Sequence, residues 1–329
     1  MKILITGGAG FIGSHLARRL VGEGHHVHIV DDLSTGRREN VADLIGPNCS
    51  LQVQRVGEAL GNIGWLGDFG AIYHLAAAVG VQLIVDRPVY SIENNILETA
   101  AVLKAAAAFN IPALITSSSE VYGKSDRVPF REDDDVTYGS TTFSRWSYAM
   151  TKALDEYLAL AHHQQAGAPV VVVRLFNTVG PGQVGQYGMV VPRFIERAMA
   201  NSPIEIYGDG KQTRCFCHVS DVVGALPRLL GESKCWGGVF NLGTDEEVTM
   251  NELADRVIAL SASRSPKVYM DYDRAYNTRF DDLRRRVPDL SRVRGAIGFA
   301  PTKNLDAILR ELIDSARHAS PGASENSHA

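Results

Sequence analysis

Two side chains suited to moving a proton lie four residues apart in RWSYAMTK, residues 145–152. On a helix this spacing places Tyr148 and Lys152 on one face. An ammonium beside a phenol favours the phenolate, so Lys152 would lower the pKa of Tyr148 from about 10. Such a tyrosine can take a proton from a hydroxyl while a hydride leaves the same carbon. A plain pair on a helix surface is the alternative interpretation.

A glycine-rich segment would bind the cofactor that this chemistry needs. Gly7, Gly10 and Gly13 lie directly between a predicted strand and a predicted helix. Glycine lets the backbone approach a pyrophosphate, whose charge the helix N-terminus favours. Asp31 follows at the end of the next strand, where a carboxylate accepts hydrogen bonds from ribose hydroxyls and repels a 2′-phosphate. The pattern predicts NAD rather than NADP, against the alternative of turn glycines and a surface aspartate.

The segment SSSEVYG, residues 117–123, follows a predicted buried strand. Ser118 offers a hydroxyl that can hydrogen-bond the reacting oxygen and help pass its proton. Ser119 and Glu120 come next. A carboxylate among serines at this point either takes part in the chemistry or caps a helix or loop.

The elements that must position these residues follow an alternating pattern. Continuous apolar runs predict strands buried on both faces at residues 2–6, 26–30, 71–76, 113–119 and 170–176. Helices are predicted at residues 12–23, 91–109 and 147–166. This alternation is typical of an α/β fold with a Rossmann-type, doubly wound parallel sheet.

The pattern changes after residue 176 to a Gly-rich loop and shorter elements. We therefore expect an NAD-binding Rossmann domain over residues 1–176, with residues 219–242 returning to it. Residues 177–218 and 243–317 would form a smaller mixed α/β substrate-binding domain. Residues 318–329 are polar and small, which predicts a disordered tail.

Composition and charge exclude several classes of partner. The 329 residues are 45% hydrophobic and 21% charged, as in an ordinary protein with a large core. A net charge of −4 without a basic block argues against nucleic acid and anionic membranes. No apolar run approaches the roughly 18 residues of a membrane span. The four cysteines fit reduced packing residues of a cytoplasmic protein, and neither their number nor their spacing predicts a metal site.

Seven stretches together resemble the extended short-chain dehydrogenase/reductase superfamily, in its group of nucleotide-sugar epimerases, dehydratases and decarboxylases. They are TGGAGFIG, DDLSTG, HLAA, SSSEVYG, YAMTK, RLFNTVGPG and GDGKQTRCFCHVSDVV. The resemblance implies an N-terminal NAD-binding sheet and a smaller domain that grips a nucleotide-sugar. It also implies a homodimer packed through the two long helices.

The same motifs assign the candidate site residues. Those expected to bind NAD are Gly7, Gly10, Phe11, Ile12, Gly13, Asp31, Asp32, Leu75, Ala76, Ala77, Tyr148 and Lys152. Those expected to be catalytic are Ser118, Ser119, Glu120, Tyr148, Lys152 and Arg286, and those expected to contact substrate are Asn177, Val191, Arg214 and Arg286. Asn177 and Arg214 would contact pyrophosphate or sugar, for which a guanidinium is suited; a loop amide and a surface arginine are the alternatives.

Members of this group begin by oxidising the sugar, usually at C4, with NAD⁺. A 4,6-dehydratase carries Asp-Glu before VYG, whereas this chain has Ser119-Glu120, and serine is a poor general acid. A 4-epimerase needs no carboxylate there. Ser-Glu and the run RWSYAMTK are similar to UDP-glucuronic acid decarboxylases, including the decarboxylase half of the aminoarabinose-pathway enzyme.

The leading prediction is therefore decarboxylation of UDP-glucuronic acid, or a similar NDP-uronate, to a UDP-pentose or its 4-keto form. A 4-epimerase is the second reading and a 4,6-dehydratase the third. A catalytically idle nucleotide-sugar or NAD sensor is the non-enzymatic alternative.

The C-terminal segment FDDLRRRVPDLSRVRGAIGFAP, residues 280–301, carries a further resemblance to the bacterial decarboxylase. It puts Arg286 where an arginine serves the substrate carboxylate, against the alternative of a solvated member of the RRR run. Three positions differ from the family's pattern: Gly182 replaces an arginine, Glu205 a lysine, and Gly57-Glu58 an adenine-contacting Gly-Asp. Glu205 facing a carboxylated substrate would be unfavourable unless it points to solvent.

Overall fold

The computed structural model describes residues 1–78, 80, 86–143, 145–185, 189–271 and 283–319. Its strands are β1 Lys2–Thr6, β2 His26–Asp31, β3 Cys49–Val53, β4 Phe69–His74, β5 Ala113–Ser118, β6 Val170–Leu175, β7 Thr178–Val179, β8 Ile204–Tyr207, β9 Thr213–Cys215, β10 Cys217–His218, β11 Val239–Leu242, β12 Glu247–Thr249 and β13 Lys267–Met270. Its α-helices are α1 Phe11–Gly22, α2 Val56–Ala59, α3 Pro88–Phe109, α4 Arg145–Ala166, α5 Val190–Met199, α6 Val219–Gly231, α7 Met250–Ser261, α8 Ser291–Ile297 and α9 Leu305–Ala319.

The central element is a seven-stranded sheet in the order β3-β2-β1-β4-β5-β6-β11. Every neighbouring pair in it is parallel. Separate apolar clusters pack on its two faces, because strands covered by helices on both sides alternate between two cores. The predicted α/β fold with a doubly wound parallel sheet is confirmed.

The strand order explains where a site can form. β1 is the switch point, because the chain passes from it outward to β2 and β3, then returns to β4 on its other side. Parallel strands all end at the same edge of the sheet, and ligands of open α/β sheets bind at that edge beside the switch point. The segments that follow β1, β2, β4, β5 and β6 therefore converge there.

A third apolar cluster lies in the C-terminal part of the chain, around α5, α7 and α9. The segment from β8 to β9 is not a hairpin: β8 pairs with β13 in parallel and β9 pairs with β12 antiparallel. β11 belongs to the central sheet, next to β6.

Several predicted boundaries shift. The strand predicted at 71–76 is Phe69–His74, since its ladder with β1 ends at the Thr6–His74 pair, so Leu75 and Ala76 follow the strand. The helix α9 runs through residues 318 and 319, which we had assigned to the tail; basic side chains in its last turn favour the helix dipole. Residues 320–329 lie outside the described residues. Within the described part of the chain, no helix has the length and apolar character needed to cross a bilayer.

Candidate functional site

A cavity of about 720 Å³ opens at the carboxyl edge of the central sheet. It extends from the glycine segment after β1 to residues of the C-terminal part, including Arg214 and Arg286. A single cavity therefore joins the predicted cofactor residues to the predicted substrate residues.

The glycine segment forms one wall of the cavity through close backbone contacts. Gly7 has a φ of +71°, and a Cβ there would lie 2.5 Å from the Ala76 amide nitrogen. A Cβ at Gly13 would lie 2.2 Å from the carbonyl oxygen of Gly7. Gly10 precedes the first turn of α1, whose N-terminal residues Phe11 and Gly13 line the cavity together with it. A helix N-terminus reached through side-chain-free backbone suits a pyrophosphate, so these residues fit NAD.

Asp31 lies at the end of β2, buried and on the cavity wall. Its two carboxylate oxygens accept hydrogen bonds of 2.9 Å from the amides of Ala9 and Leu33. Burial raises the pKa of Asp31, and these two amide donors act in the opposite direction. A carboxylate has about four acceptor positions, so Asp31 can also accept from ribose hydroxyls. Asp32 lines the cavity beside it.

Four more of the predicted cofactor residues are also at this end of the cavity. Ile12, Leu75, Ala76 and Ala77 line it. The donors and acceptors present are those a dinucleotide needs: backbone amides for phosphate and a carboxylate for ribose.

Tyr148 and Ser118 line the cavity from α4 and from the end of β5. Lys152 is buried, with 2% of its surface exposed. Its ammonium donates to the carbonyl oxygen of Thr116 at 3.1 Å and pairs with Asp155 at 3.1 Å. The sequence analysis missed Asp155 as the partner of Lys152. That Lys152 binds NAD and lowers the pKa of Tyr148 stays a prediction.

A buried polar network continues behind Lys152. Asp155 is 1% exposed; burial raises its pKa, and the Lys152 ammonium lowers it. His74, at the end of β4, has a pKa lowered to about 3 by burial and by the nearby Lys152 charge. The neutral ring hydrogen-bonds Thr6 on one side and Thr99 on the other, at 2.6 and 3.0 Å. The network fixes β1, β4 and α3 beneath the cavity floor.

Glu120 and Arg286 meet although they are far apart in the chain. The Arg286 guanidinium lies 2.7 Å from a carboxylate oxygen of Glu120, and both residues line the cavity. The backbone amide of Glu120 donates to the Ser118 hydroxyl at 3.2 Å. Ser119 is buried and also lines the cavity. The Ser-Glu pair and Arg286 are thus brought next to the hydroxyl of Ser118.

The exposure of the RRR run separates Arg286 from its neighbours. The side chains of Arg284 and Arg285 are 71% and 55% exposed and pair with surface carboxylates, whereas that of Arg286 is 8% exposed. The alternative of a solvated arginine therefore holds for the first two members and is wrong for the third.

The other predicted substrate contacts line the same cavity. Asn177, Val191 and Arg214 all line it. The Asn177 amide donates to the Cys215 carbonyl at 2.9 Å. Arg214 donates to the carbonyl of Leu283 at 2.9 Å, which ties β9 to the segment that carries Arg286.

Glu205, the carboxylate that we expected to disfavour an anionic substrate, also lines the cavity. Two guanidinium groups stand beside it, Arg193 at 3.6 Å and Arg197 at 3.8 Å. Their positive charges counter the carboxylate, so Glu205 does not leave a net negative charge at this end. Gly182 lines the same region with a φ of +82°.

Sequence reasoning missed two residues at the cofactor end. Glu98 of α3 is 4% exposed, and its carboxylate accepts from the Gly57 amide and from Arg55 at 3.0 Å. Both Arg55 and Glu98 line the cavity near Asp31, whereas Glu58 is exposed and is not among the lining residues. A carboxylate here can accept from an amino group such as that of adenine. The sequence feature that could have indicated Glu98 is that it is the single acidic residue in the apolar stretch ILETAAVLKAAAA.

Comparison with known proteins agrees with this arrangement. A sequence model described as the NAD dependent epimerase/dehydratase family matches residues 3–243. A UDP-N-acetyl-alpha-D-glucosaminuronate decarboxylase of Bacillus cytotoxicus is 38% identical over 318 residues, covering 95% of this chain and 96% of that protein. UDP-glucuronic acid decarboxylase 1 of Arabidopsis thaliana is 35% identical, covering 97% of this chain and 70% of that protein.

Solved structures show the same fold. The UDP-glucuronic acid 4-epimerase of Bacillus cereus, in complex with UDP-glucuronic acid and NAD, superposes with a TM-score of 0.85 at 26% identity, covering 97% of this chain and 100% of that one. The UDP-glucose 4-epimerase of Thermotoga maritima, with UDP-glucose, gives 0.87 at 28% identity, covering 97% and 99%. The resemblance and the NAD cofactor predicted from the motifs are confirmed, and the chain belongs to the NAD dependent epimerase/dehydratase family.

Proposed function

We propose that the chain is an NAD-dependent decarboxylase of UDP-glucuronic acid or a similar NDP-uronic acid. The observation that carries this proposal is the buried pair of Glu120 and Arg286 on the cavity wall beside Ser118. A buried guanidinium facing a cavity is suited to holding a carboxylate. The two decarboxylases named above support the same reaction.

The first step is oxidation at sugar C4. Tyr148, as phenolate, takes the proton of the C4 hydroxyl, and Ser118 donates a hydrogen bond to the same oxygen. The residues of the glycine segment and Asp31 would hold NAD⁺, which would supply the acceptor for the hydride that leaves C4. The positive charge of Lys152 favours the phenolate of Tyr148. The sugar becomes a 4-ketone.

The second step follows from the position of that ketone. The carboxylate on C5 is now β to the C4 carbonyl, so the bond between C5 and the carboxyl carbon can break. Its electron pair moves into the C4 carbonyl to form an enolate, and carbon dioxide leaves. Arg286 holds the carboxylate, and because a guanidinium carries five N–H donors it can contact Glu120 and the substrate together. Ser119 and Glu120 orient the substrate carboxylate and deliver the proton that C5 then takes up.

A second candidate is a 4-epimerase acting on an NDP-sugar or on UDP-glucuronic acid. It uses Ser118, Tyr148 and Lys152 in the same way, and hydride returns to the other face of the 4-ketone. The likeness to the Bacillus cereus UDP-glucuronic acid 4-epimerase favours it. The Glu120–Arg286 pair is the feature that favours decarboxylation instead.

We further propose that the chain is divided into a cofactor-binding part and a substrate-binding part. Residues 1–176 and 219–242 would bind NAD, and residues 177–218 and 243–317 the nucleotide-sugar. The inclusion of β11 in the central sheet supports this division. Asn177 and Arg214 would contact the pyrophosphate or the sugar, and Val191 would contact the substrate, because all three line the cavity.

We also propose a cytoplasmic homodimer packed through α3 and α4. Large apolar side chains are exposed on both helices: Leu97 at 59%, Leu154 at 47% and Tyr157 at 70%. The free thiols of all four cysteines suit a reducing compartment. Light scattering should give twice the chain mass for the native protein, and Leu154→Glu should shift it toward the single-chain mass. A native protein at the single-chain mass would reject the dimer.

Product mass separates the candidate reactions. The protein is incubated with NAD⁺ and, in turn, UDP-glucuronic acid, UDP-glucose and UDP-N-acetylglucosamine. Loss of the mass of carbon dioxide from the uronate supports the decarboxylase. An isomer of unchanged mass supports the epimerase, and loss of water supports a dehydratase; either result without carbon dioxide release would reject the decarboxylase.

A further inference from the structure

The Glu120–Arg286 pair joins two segments that lie far apart in the chain. The fold must therefore fix the distance between the carboxylate of one and the guanidinium of the other. Glu120 belongs to the 3₁₀ turn Ser119–Tyr122 that follows β5. Arg286 belongs to the segment before α8. The inference below rests on the proposed decarboxylation and concerns what fixes the distance between these two groups.

The backbone of Phe130 is hydrogen-bonded to the segment that carries Arg286. The amide of Phe130 donates to the Val287 carbonyl at 2.8 Å, and the amide of Asp289 donates to the Phe130 carbonyl at 2.8 Å. These two hydrogen bonds flank Pro288, which forms an isolated parallel bridge with Phe130. The backbone one residue after Arg286 is thereby fixed to Phe130.

Tyr122 connects the turn that carries Glu120 to the same place. Its side chain is fully buried, and its ring stacks on that of Phe130 with centroids 4.5 Å apart and an interplanar angle of 15°. Its hydroxyl donates to the side-chain oxygen of Asn241 at 2.7 Å. The side chain two residues after Glu120 is thereby held by Asn241.

The side-chain amide of Asn241 connects the segment that carries Glu120 to the segment that carries Arg286. Asn241 lies on β11 and is fully buried. Its nitrogen donates to the carbonyls of Phe130 and Asp289, at 2.9 and 3.3 Å, while its oxygen accepts from Tyr122. The reverse orientation would set the amide oxygen against two carbonyl oxygens, so the contacts themselves fix which atom is which.

We propose that Asn241 is a positioning residue for decarboxylation, which sets the distance between the Glu120 carboxylate and the Arg286 guanidinium. Asn241, Tyr122 and Phe130 are not among the residues that line the cavity, so they act through the groups they hold. A misplacement of about 1 Å in a reacting group can slow a step about 100-fold. The C4 oxidation by Ser118 and Tyr148 does not use the Glu120–Arg286 pair and should be affected far less.

The test measures the two steps in one turnover. NAD-loaded enzyme is mixed with UDP-glucuronic acid, NADH absorbance reports C4 oxidation, and trapped carbon dioxide reports decarboxylation. The quantity compared is the rate of carbon dioxide release divided by the rate of C4 oxidation. This ratio is independent of the fraction of folded enzyme, since unfolded molecules contribute to neither rate.

Asn241→Asp should lower this ratio about 10- to 100-fold, because a carboxylate still accepts from Tyr122 but offers no donor to the two carbonyls. Tyr122→Phe, which loses one hydrogen bond and keeps the ring stack, should lower it several-fold and serves if the first variant does not fold. The matched control is Tyr73→Phe on β4, another buried tyrosine outside the cavity lining, which should leave the ratio unchanged.

An unchanged ratio in both variants, with both rates falling together, would overturn the inference and leave Asn241 a purely structural residue. Failure of the native enzyme to release carbon dioxide is a different result. It would reject the proposed function, and the inference with it, before any variant is compared.

Discussion

The two ends of the cavity are built in different ways. At the cofactor end, three short segments follow β1, β2 and β4, which are neighbours in the sheet, and the part of the wall where Gly7 meets Ala76 is backbone alone. At the sugar end, side chains from different elements meet as charge pairs, Glu120 with Arg286 across the chain and Arg193 with Glu205 on consecutive elements. We therefore expect substitutions at the first end to change NAD binding, and those at the second to divide the reaction into separable steps.

The largest effect is expected at the sugar end from Tyr148→Phe. Loss of the phenol removes the base for the C4 hydroxyl, and turnover should fall about 10³- to 10⁴-fold. NAD affinity, measured by calorimetry, should stay within a few-fold of native, because the ring remains. Turnover at the native rate would contradict every enzymatic role assigned to this cavity.

At the cofactor end, Gly13→Ala should weaken NAD binding about 10- to 100-fold. The new Cβ would overlap the Gly7 carbonyl oxygen, so the backbone of the segment must shift, and overpacking of this kind costs about 1–3 kcal/mol. The matched control is Gly22→Ala at the other end of α1, where a Cβ meets nothing within 4 Å. Equal NAD affinities for the two variants would refute the tight backbone wall.

Asp31→Asn should reduce NAD affinity about tenfold, since hydrogen bonds to a charged group contribute about 1.5–3 kcal/mol. It should also narrow the preference for NAD over NADP, because the repulsion of a 2′-phosphate is lost. Titration with both dinucleotides measures the two effects. An unaltered preference would mean that Asp31 does not face the ribose.

The smallest effect concerns Glu98, which we place against the adenine amino group. Glu98→Gln should weaken NAD binding a few-fold, about the value of one hydrogen bond. Nicotinamide hypoxanthine dinucleotide carries a carbonyl in place of that amino group. It should therefore bind the native protein more weakly than NAD does, whereas the Glu98→Gln variant should bind the two dinucleotides about equally. Equal discrimination by both proteins would place adenine elsewhere.

The contrast between the two ends also explains what sequence could predict. β1 was located at Lys2–Thr6, and the glycine segment at its end, because strand period, turn glycines and a helix start are local signals. The charge balance around Glu205 could not be predicted, because its partners Arg193 and Arg197 come from another element. Glu98 was missed because its partners Arg55 and Gly57 lie outside its helix, whereas Asp155 was missed although Lys152 stands three residues before it on α4. Arg286 could be separated from Arg284 and Arg285 only by resemblance, since burial is decided by the folded chain.

The most direct test of the account is Glu120→Gln in a single turnover with UDP-glucuronic acid. In the proposed reaction Ser118, Tyr148 and Lys152 carry out C4 oxidation, and the Glu120–Arg286 pair serves the following step. The variant should form NADH near the native rate, accumulate the 4-keto sugar and release carbon dioxide about 100-fold more slowly. Native carbon dioxide release by the variant, or loss of NADH formation in parallel with it, would contradict the separation of the two steps.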